Sequence, residues 1–220
     1  MNFPKIDAIV LDGAIKGMPG DAEKFPLGEI AAKRWNVLRE DLPLPLAVLR
    51  QSALRHNGQW MREFLARSGA VIAPHGKTTM SPQLFHDQLA DGAWAITVAT
   101  AQQLRICRDF GIDRVVLANQ LVGRQAVSYV FNQLKHDPNF DFYCLVDSVA
   151  NVEQLATAAR ASAPGRPLQV LLEGGMTGGR TGCRDITSAL AVARAVKAAA
   201  PYLSLRGVEG FEGLVHTDSS

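Results

Sequence analysis

From residue 45 onward, short apolar runs rich in β-branched residues alternate with longer alanine- and leucine-rich stretches whose apolar positions recur at helical spacing. That alternation predicts parallel βα units. The apolar runs predict strands near Leu46–Arg50, Ala70–Ala73, Trp94–Thr100, Arg114–Ala118, Phe140–Val146, Leu168–Glu173 and Leu205–Phe211. The helical stretches fall near Ala53–Ala66, Pro82–Ala90, Ala101–Phe110, Arg124–Lys135, Val149–Ala161 and Ile186–Ala199. Gly69, Gly92 and Gly111 each follow a predicted helix, where a left-handed C-terminal residue is wanted.

A repeat of roughly 25 residues is that of a (β/α)8 barrel of the TIM type. A doubly wound open sheet is the alternative, but Arg50-Gln-Ser-Ala-Leu54 enters a helix without the glycine-rich turn such sheets place after their first strand. The pattern shows about seven strands where a closed barrel has eight. The expectation is therefore an incomplete barrel over residues 45–220, truncated before the last strand. Residues 1–44 precede the repeat, predict one amphipathic helix around Leu27–Arg39, and end in the proline-spaced Leu42-Pro-Leu-Pro-Leu46. They are expected to be an N-terminal extension.

The 220 residues are 47% hydrophobic and carry 23 basic against 21 acidic side chains, enough apolar content for a full core and no charge bias toward a particular partner. No basic, aromatic-interleaved stripe offers a footprint for nucleic acid. No apolar run approaches the roughly 20 residues of a membrane-spanning helix, and the N-terminus lacks a basic stretch followed by an apolar core. No membrane partner is expected, and the expected location is the cytoplasm. Cys107, Cys144 and Cys183 are odd in number and far apart, which suits free thiols in a reducing compartment.

Candidate chemistry centres on Lys77, which follows the run Ala70-Val-Ile-Ala73 in the segment Ala73-Pro-His-Gly-Lys-Thr-Thr-Met80. A lysine at the carboxyl end of a buried barrel strand sits where such barrels keep their chemistry, and burial can expose its neutral amine as a nucleophile for a Schiff base. The barrel reading brings His75, Lys77, Asn119, Gln120, Asp147, Glu173, Glu209 and Glu212 to the same mouth. The loop Gly174-Gly-Met-Thr-Gly-Gly-Arg-Thr-Gly182 is the second signal, since glycines let backbone approach a ligand and Arg180 offers a planar, permanently charged donor. His56, His86 and His136 fall on helix faces or ends, and no metal site is expected within the chain. His216 follows the seventh predicted strand on the mouth side.

Several short matches, running in one order, resemble the amino acid deaminase, D-serine dehydratase and D-threonine aldolase family. They include Ala53-Leu-Arg-His-Asn57, Pro74-His-Gly-Lys77-Thr, Leu117-Ala-Asn-Gln120, Val146-Asp147, Leu172-Glu173, Gly179-Arg180-Thr-Gly182 and Gly207-Val-Glu-Gly-Phe-Glu-Gly213. The wording around Lys77 and Arg180 is most similar to the amino acid deaminase branch. Ala73 and Thr79 stand where the family's aldolases usually carry arginine and histidine. The resemblance implies an α/β barrel like the N-terminal domain of alanine racemase, the fold type III arrangement for pyridoxal 5'-phosphate. It makes Lys77 the residue that binds the cofactor as an internal aldimine. Arg180 would stand beside the cofactor's phenolic oxygen and His75 against the ring, with Asn119 and Gln120 lining the mouth.

The activity implied is a lyase, deaminating D-hydroxyamino acids such as D-serine or D-threonine to a keto acid and ammonia. D-Threonine aldolase-type retro-aldol cleavage or racemisation is the alternative, and a non-catalytic pyridoxal phosphate carrier is an alternative of another class. Family enzymes commonly add a divalent metal such as zinc, held by histidine and cysteine in a β-rich domain after the barrel, so any such site is expected beyond Ser220. They are commonly homodimers when full length.

Overall fold

The computed structural model describes residues 3–213, so His216 lies outside the described residues. The chain divides into two compact units, residues 1–70 and 71–220.

The first unit contains helix α1 (Pro4–Asp7), an antiparallel pair β1 (Val10–Leu11) and β2 (Phe25–Pro26), and helix α2 (Gln51–Ser68). Ile6, Leu11 and Phe25 are buried, and Trp35 meets the Phe25 ring edge-on at 5.8 Å. In place of one helix over 27–39, two 3-10 segments form, Leu27–Lys33 and Val37–Arg39, separated by Arg34 in the left-handed region. The reason is local competition: Asn36 Oδ1 accepts the Leu38 amide at 2.8 Å, and Asp41 Oδ2 accepts the Asn36 amide at 2.8 Å. Such side chains offer the backbone a turn instead of a helical ladder. The predicted strand at Leu46–Arg50 is irregular, because a short apolar run becomes a strand only when its amides and carbonyls find a ladder. Here the Arg50 carbonyl instead accepts from Ala53 and Leu54 and starts α2.

The second unit contains α3 (Pro82–Ala90), β3 (Ile96–Val98), α4 (Ala101–Asp109), β4 (Arg114–Gln120), α5 (Arg124–His136), β5 (Asp141–Val146), α6 (Val149–Ser162), β6 (Leu168–Gly174), α7 (Ile186–Ala198) and β7 (Leu203–Gly210). The five strands pair in parallel in the order β3-β4-β5-β6-β7. Spatial order equals sequence order throughout, so the sheet has no point at which the winding reverses, as a doubly wound sheet would. Right-handed crossovers that never reverse put every helix on one face, which is the wall of a TIM-type barrel.

The residue pattern explains the layering. Phe142, Cys144 and Val146 of β5, with Leu168, Val170 and Leu172 of β6, join Phe131, Leu134, Val152, Leu155, Val192 and Val196 from the helices in one core. Strand alternation turns Tyr143, Leu145, Gln169, Leu171 and Glu173 to the opposite, inner face. Ser81, Thr100, Ser148 and Asp185 each accept an amide in the first turn of α3, α4, α6 and α7, at 3.4, 3.2, 3.3 and 2.7 Å. These caps fix where each strand-to-helix loop ends. The three cysteines are free and buried, and burial pushes the Cys107 and Cys144 thiols up to about 12.

The predicted strand at Ala70–Ala73 is extended but falls short of a regular strand. Ile72 and Pro74 carbonyls accept from Trp94 and Thr97 at 2.7 and 2.8 Å, and His75 bridges Thr97 in parallel. Pro74 has no N–H to return, so the ladder is broken at its centre. The Thr97 hydroxyl fills part of the gap by donating to the Ala73 carbonyl at 2.7 Å.

Candidate active site

The carboxyl ends of the inner strands place the polar residues. Beyond the His75–Thr97 bridge the chain turns into one 3-10 turn, Gly76–Thr78, with His75 Nδ1 accepting the Lys77 amide at 3.4 Å. Gly76 is buried there, because a Cβ would stand 2.6 Å from Cζ of the fully buried Phe85. The missing side chain lets the turn press against the core while Lys77 projects outward. Lys77 is exposed, where the sequence reading expects a desolvated amine.

Arg180 lies on the loop after β6. That loop folds back on its own strand: the Gly175 amide donates to the Cys183 carbonyl at 2.9 Å and the Cys183 amide to the Glu173 carbonyl at 2.8 Å. Gly182 has φ +97°, and a Cβ on it would meet the Gly175 nitrogen at 2.6 Å, so glycine is required by both conformation and space. Asp147, just after β5, accepts the Gly182 amide at 3.0 Å.

Two residues that the sequence reading did not single out hold this loop. Arg184 donates to the carbonyls of Met176, Thr181 and Gly179 at 2.5, 3.0 and 2.8 Å. Thr181 donates to Glu173 Oε1 at 2.6 Å. A glycine-rich loop outside a ladder leaves its carbonyls without partners, and a basic residue shortly after it is the signal that could have pointed to Arg184.

Glu173 is 2% exposed and joins β4 to the loop, since its Oε2 accepts from Gln120 Nε2 at 2.6 Å. Asn119 neighbours Gln120 and accepts the Gln120 backbone amide on Oδ1 at 3.1 Å. Its amide reaches the Ala99 carbonyl at 3.4 Å, and it lines a cleft between the starts of α4 and α5. Arg180 lines a separate cleft with Glu173, Met176, Thr181 and Phe211. His75 is close enough to Lys77 and Arg180 to feel both charges. Partial burial of the ring, then Lys77, then Arg180 hold its pKa below the usual imidazole value, against a Thr97 backbone bond that raises it.

Around this mouth, Glu173, Gln120, Thr181 and Arg184 are engaged with one another or with backbone. The Lys77 ammonium and the Arg180 guanidinium make no hydrogen bond or ion pair among the described residues. Two uncommitted cations beside a histidine, at the carboxyl end of a β/α barrel wall, define an anion-accepting site with an amine in it. Among the described residues no three side chains of His, Cys, Asp or Glu gather to hold a metal.

The comparisons agree with the fold. The alanine racemase N-terminal domain model matches residues 49–218, so the chain belongs to that family. It is similar to D-threonine aldolase from Filomicrobium marinum at 26% identity and a TM-score of 0.68, covering 76% of this chain and 44% of that one. It is also similar to D-threo-3-hydroxyaspartate dehydratase from Delftia sp. HT23, at 25% identity and 0.64, covering 74% and 43%. Alanine racemase from Bacillus anthracis shares the fold at 18% identity and 0.57, over 75% and 42%. The chain thus spans less than half the length of these solved structures. Comparison with curated proteins gave no match.

Proposed function

We propose that this chain binds pyridoxal 5'-phosphate through Lys77 and serves a lyase that deaminates D-hydroxyamino acids to a keto acid and ammonia. The observation that carries the reading is the pair of cations without hydrogen-bond partners, Lys77 and Arg180, set in a mouth where Glu173, Gln120, Thr181 and Arg184 are engaged with one another or with backbone. When bound, the cofactor supplies an electron sink that acidifies the Cα–H of an amino acid joined to it. The chain's residues supply the rest. Lys77 Nζ, exposed at the mouth, is the group to take a proton from the substrate Cα, after which the β-hydroxyl departs as water and addition of water releases the keto acid and ammonia. Arg180 cannot lose its proton and so holds an anionic oxygen without competing for that proton. His75, kept neutral by its surroundings, stands beside the amine as an acceptor rather than a third cation.

Racemisation shares the first of these steps, and aldol cleavage shares the cofactor and its amine. Aldol cleavage is the second reading, favoured by the likeness to a D-threonine aldolase. The substrate is a D-amino acid and the working enzyme a homodimer in this proposal, and no helix among the described residues is long and apolar enough to cross a membrane. Product analysis with D-threonine and pyridoxal phosphate tests it: 2-oxobutanoate and ammonia support deamination, whereas glycine and acetaldehyde replace it with aldol cleavage.

A further inference from the structure

Glu173 and Glu209 are ladder partners on the adjacent strands β6 and β7. Neighbouring parallel strands run about 4.8 Å apart, so partner side chains on one face are close neighbours. Two carboxylates held this close do not both ionise at ordinary cost. Their surroundings decide which one keeps its charge. Glu173 receives two short hydrogen bonds from neutral donors, Gln120 Nε2 on Oε2 and Thr181 Oγ1 on Oε1, so both of its oxygens act as acceptors. Glu209 has the opposite environment. Its Oε2 is buried without a hydrogen-bond partner among the described residues, so a charge there would be desolvated and uncompensated. Arg180 from the glycine-rich loop and Glu212 beyond β7 are the other charged groups acting on it, with opposite signs.

We propose that Glu209 is a positioning residue: held as a neutral carboxylic acid, it leaves Glu173 as the one buried negative charge beside Arg180, the nearby Glu212 being exposed to solvent, so that the guanidinium keeps its attraction for an anionic oxygen of the bound ligand. Burial, then Glu173, raise the Glu209 pKa, with Arg180 opposing, in agreement with that assignment. Ionisation of Glu209 at alkaline pH would set two carboxylates against one guanidinium and weaken the hold on an anion. The role of Arg180 in this inference rests on the cofactor reading above; the protonation of Glu209 does not.

The test separates the two. The chain is labelled with carbon-13 at glutamate Cδ and titrated by NMR, the Glu209 resonance being the one absent from Glu209→Gln. It should still be protonated at the lower end of the pH range used for the binding series and ionise at lower pH in Glu173→Gln. A Glu209 resonance already ionised where the binding series begins, or one that ignores Glu173→Gln, overturns the proposal. Pyridoxal phosphate binding is then followed by absorbance from pH 6.5 to 9. The ratio of Kd values across that range should be about fivefold larger for the native chain than for Glu209→Gln, the size an ion pair at the edge of solvent gives. Parallel loss in both proteins overturns the positioning role and leaves the cofactor reading standing. If neither protein binds at any pH, the cofactor reading falls together with the role given to Arg180. The NMR titration still decides the protonation of Glu209.

Discussion

Gly76→Ala probes how the core sets the position of Lys77. The new methyl would sit 2.6 and 2.7 Å from Cζ and Cε1 of Phe85 and 3.1 Å from Cγ2 of Ile96. Carbon atoms meet comfortably at about 3.5–4.0 Å, so the ring or the turn must withdraw by roughly 1 Å. Phe85 and Ile96 are both fully buried, so neither can give way into solvent. Overpacking of a tight core costs about 1–3 kcal/mol, and the lower chain entropy of alanine returns about 0.5 kcal/mol. The expected net loss is about 1–2 kcal/mol, which lowers Tm by about 2–8 °C at this chain length. Denaturant unfolding measures it. Phe85→Leu makes the diagnostic partner: it costs stability alone, but in the double variant it relieves the clash, so the two losses fall short of additive by at least about 1 kcal/mol. Reduction of Lys77 with pyridoxal phosphate should fall in Gly76→Ala and recover in the double variant. A neutral Gly76→Ala, or losses additive within about 0.5 kcal/mol, would refute the idea that Phe85 fixes this turn.

Other consequences can be checked alongside. Gly182→Ala meets backbone at Gly175 as well as an unfavourable φ, so it should disrupt the loop and abolish pyridoxal phosphate binding while the far-UV circular dichroism of the sheet and helices is kept. Arg184→Ala removes three carbonyl bonds from the same loop and should weaken cofactor binding more than it lowers Tm, seen by paired titration and melting. Arg108 bonds Asp113 at 2.8 Å, pairs with Asp137, and stacks on Phe140, so Arg108→Ala should cost about 2–3 kcal/mol in urea unfolding. Burial pulls the Asp137 pKa up, but the Asn139 amide and Arg108 outweigh it and leave the value lowered. The stability from that carboxylate is therefore present above the ordinary aspartate value and is lost as pH falls through the lowered one. The native chain should thus lose more stability than Arg108→Ala between pH 5 and acid conditions.

The helices were legible in the sequence almost residue by residue, because an apolar stripe of helical period and a following glycine are both local signals. Pro82–Ala90 has the predicted bounds, and Gly69, Gly92 and Gly111 take φ of +68°, +93° and +74°. The strands β3 to β7 were legible to within a few residues. The runs at Leu46–Arg50 and Ala70–Ala73 were not, since whether an apolar run becomes a strand depends on partners that lie far away in sequence and on the missing amide of Pro74. The 27–39 region misled because hydrophobic spacing says nothing of side chains such as Asn36 and Asp41 that bond backbone locally. At the site, Lys77 and Arg180 stand out by motif. The bracing by Arg184, the Glu173 junction with Gln120 and Thr181, and the Asn119 bond to the Ala99 carbonyl depend on side-chain directions that no spacing reveals.

The most direct measurement of the central claim is borohydride reduction of the chain incubated with pyridoxal phosphate, followed by peptide mass mapping. The account predicts a pyridoxyl group confined to Lys77, lost in Lys77→Ala and weakened in Arg180→Ala. Labelling scattered over surface lysines, or none at all, would contradict the assignment of Lys77 as the cofactor's amine.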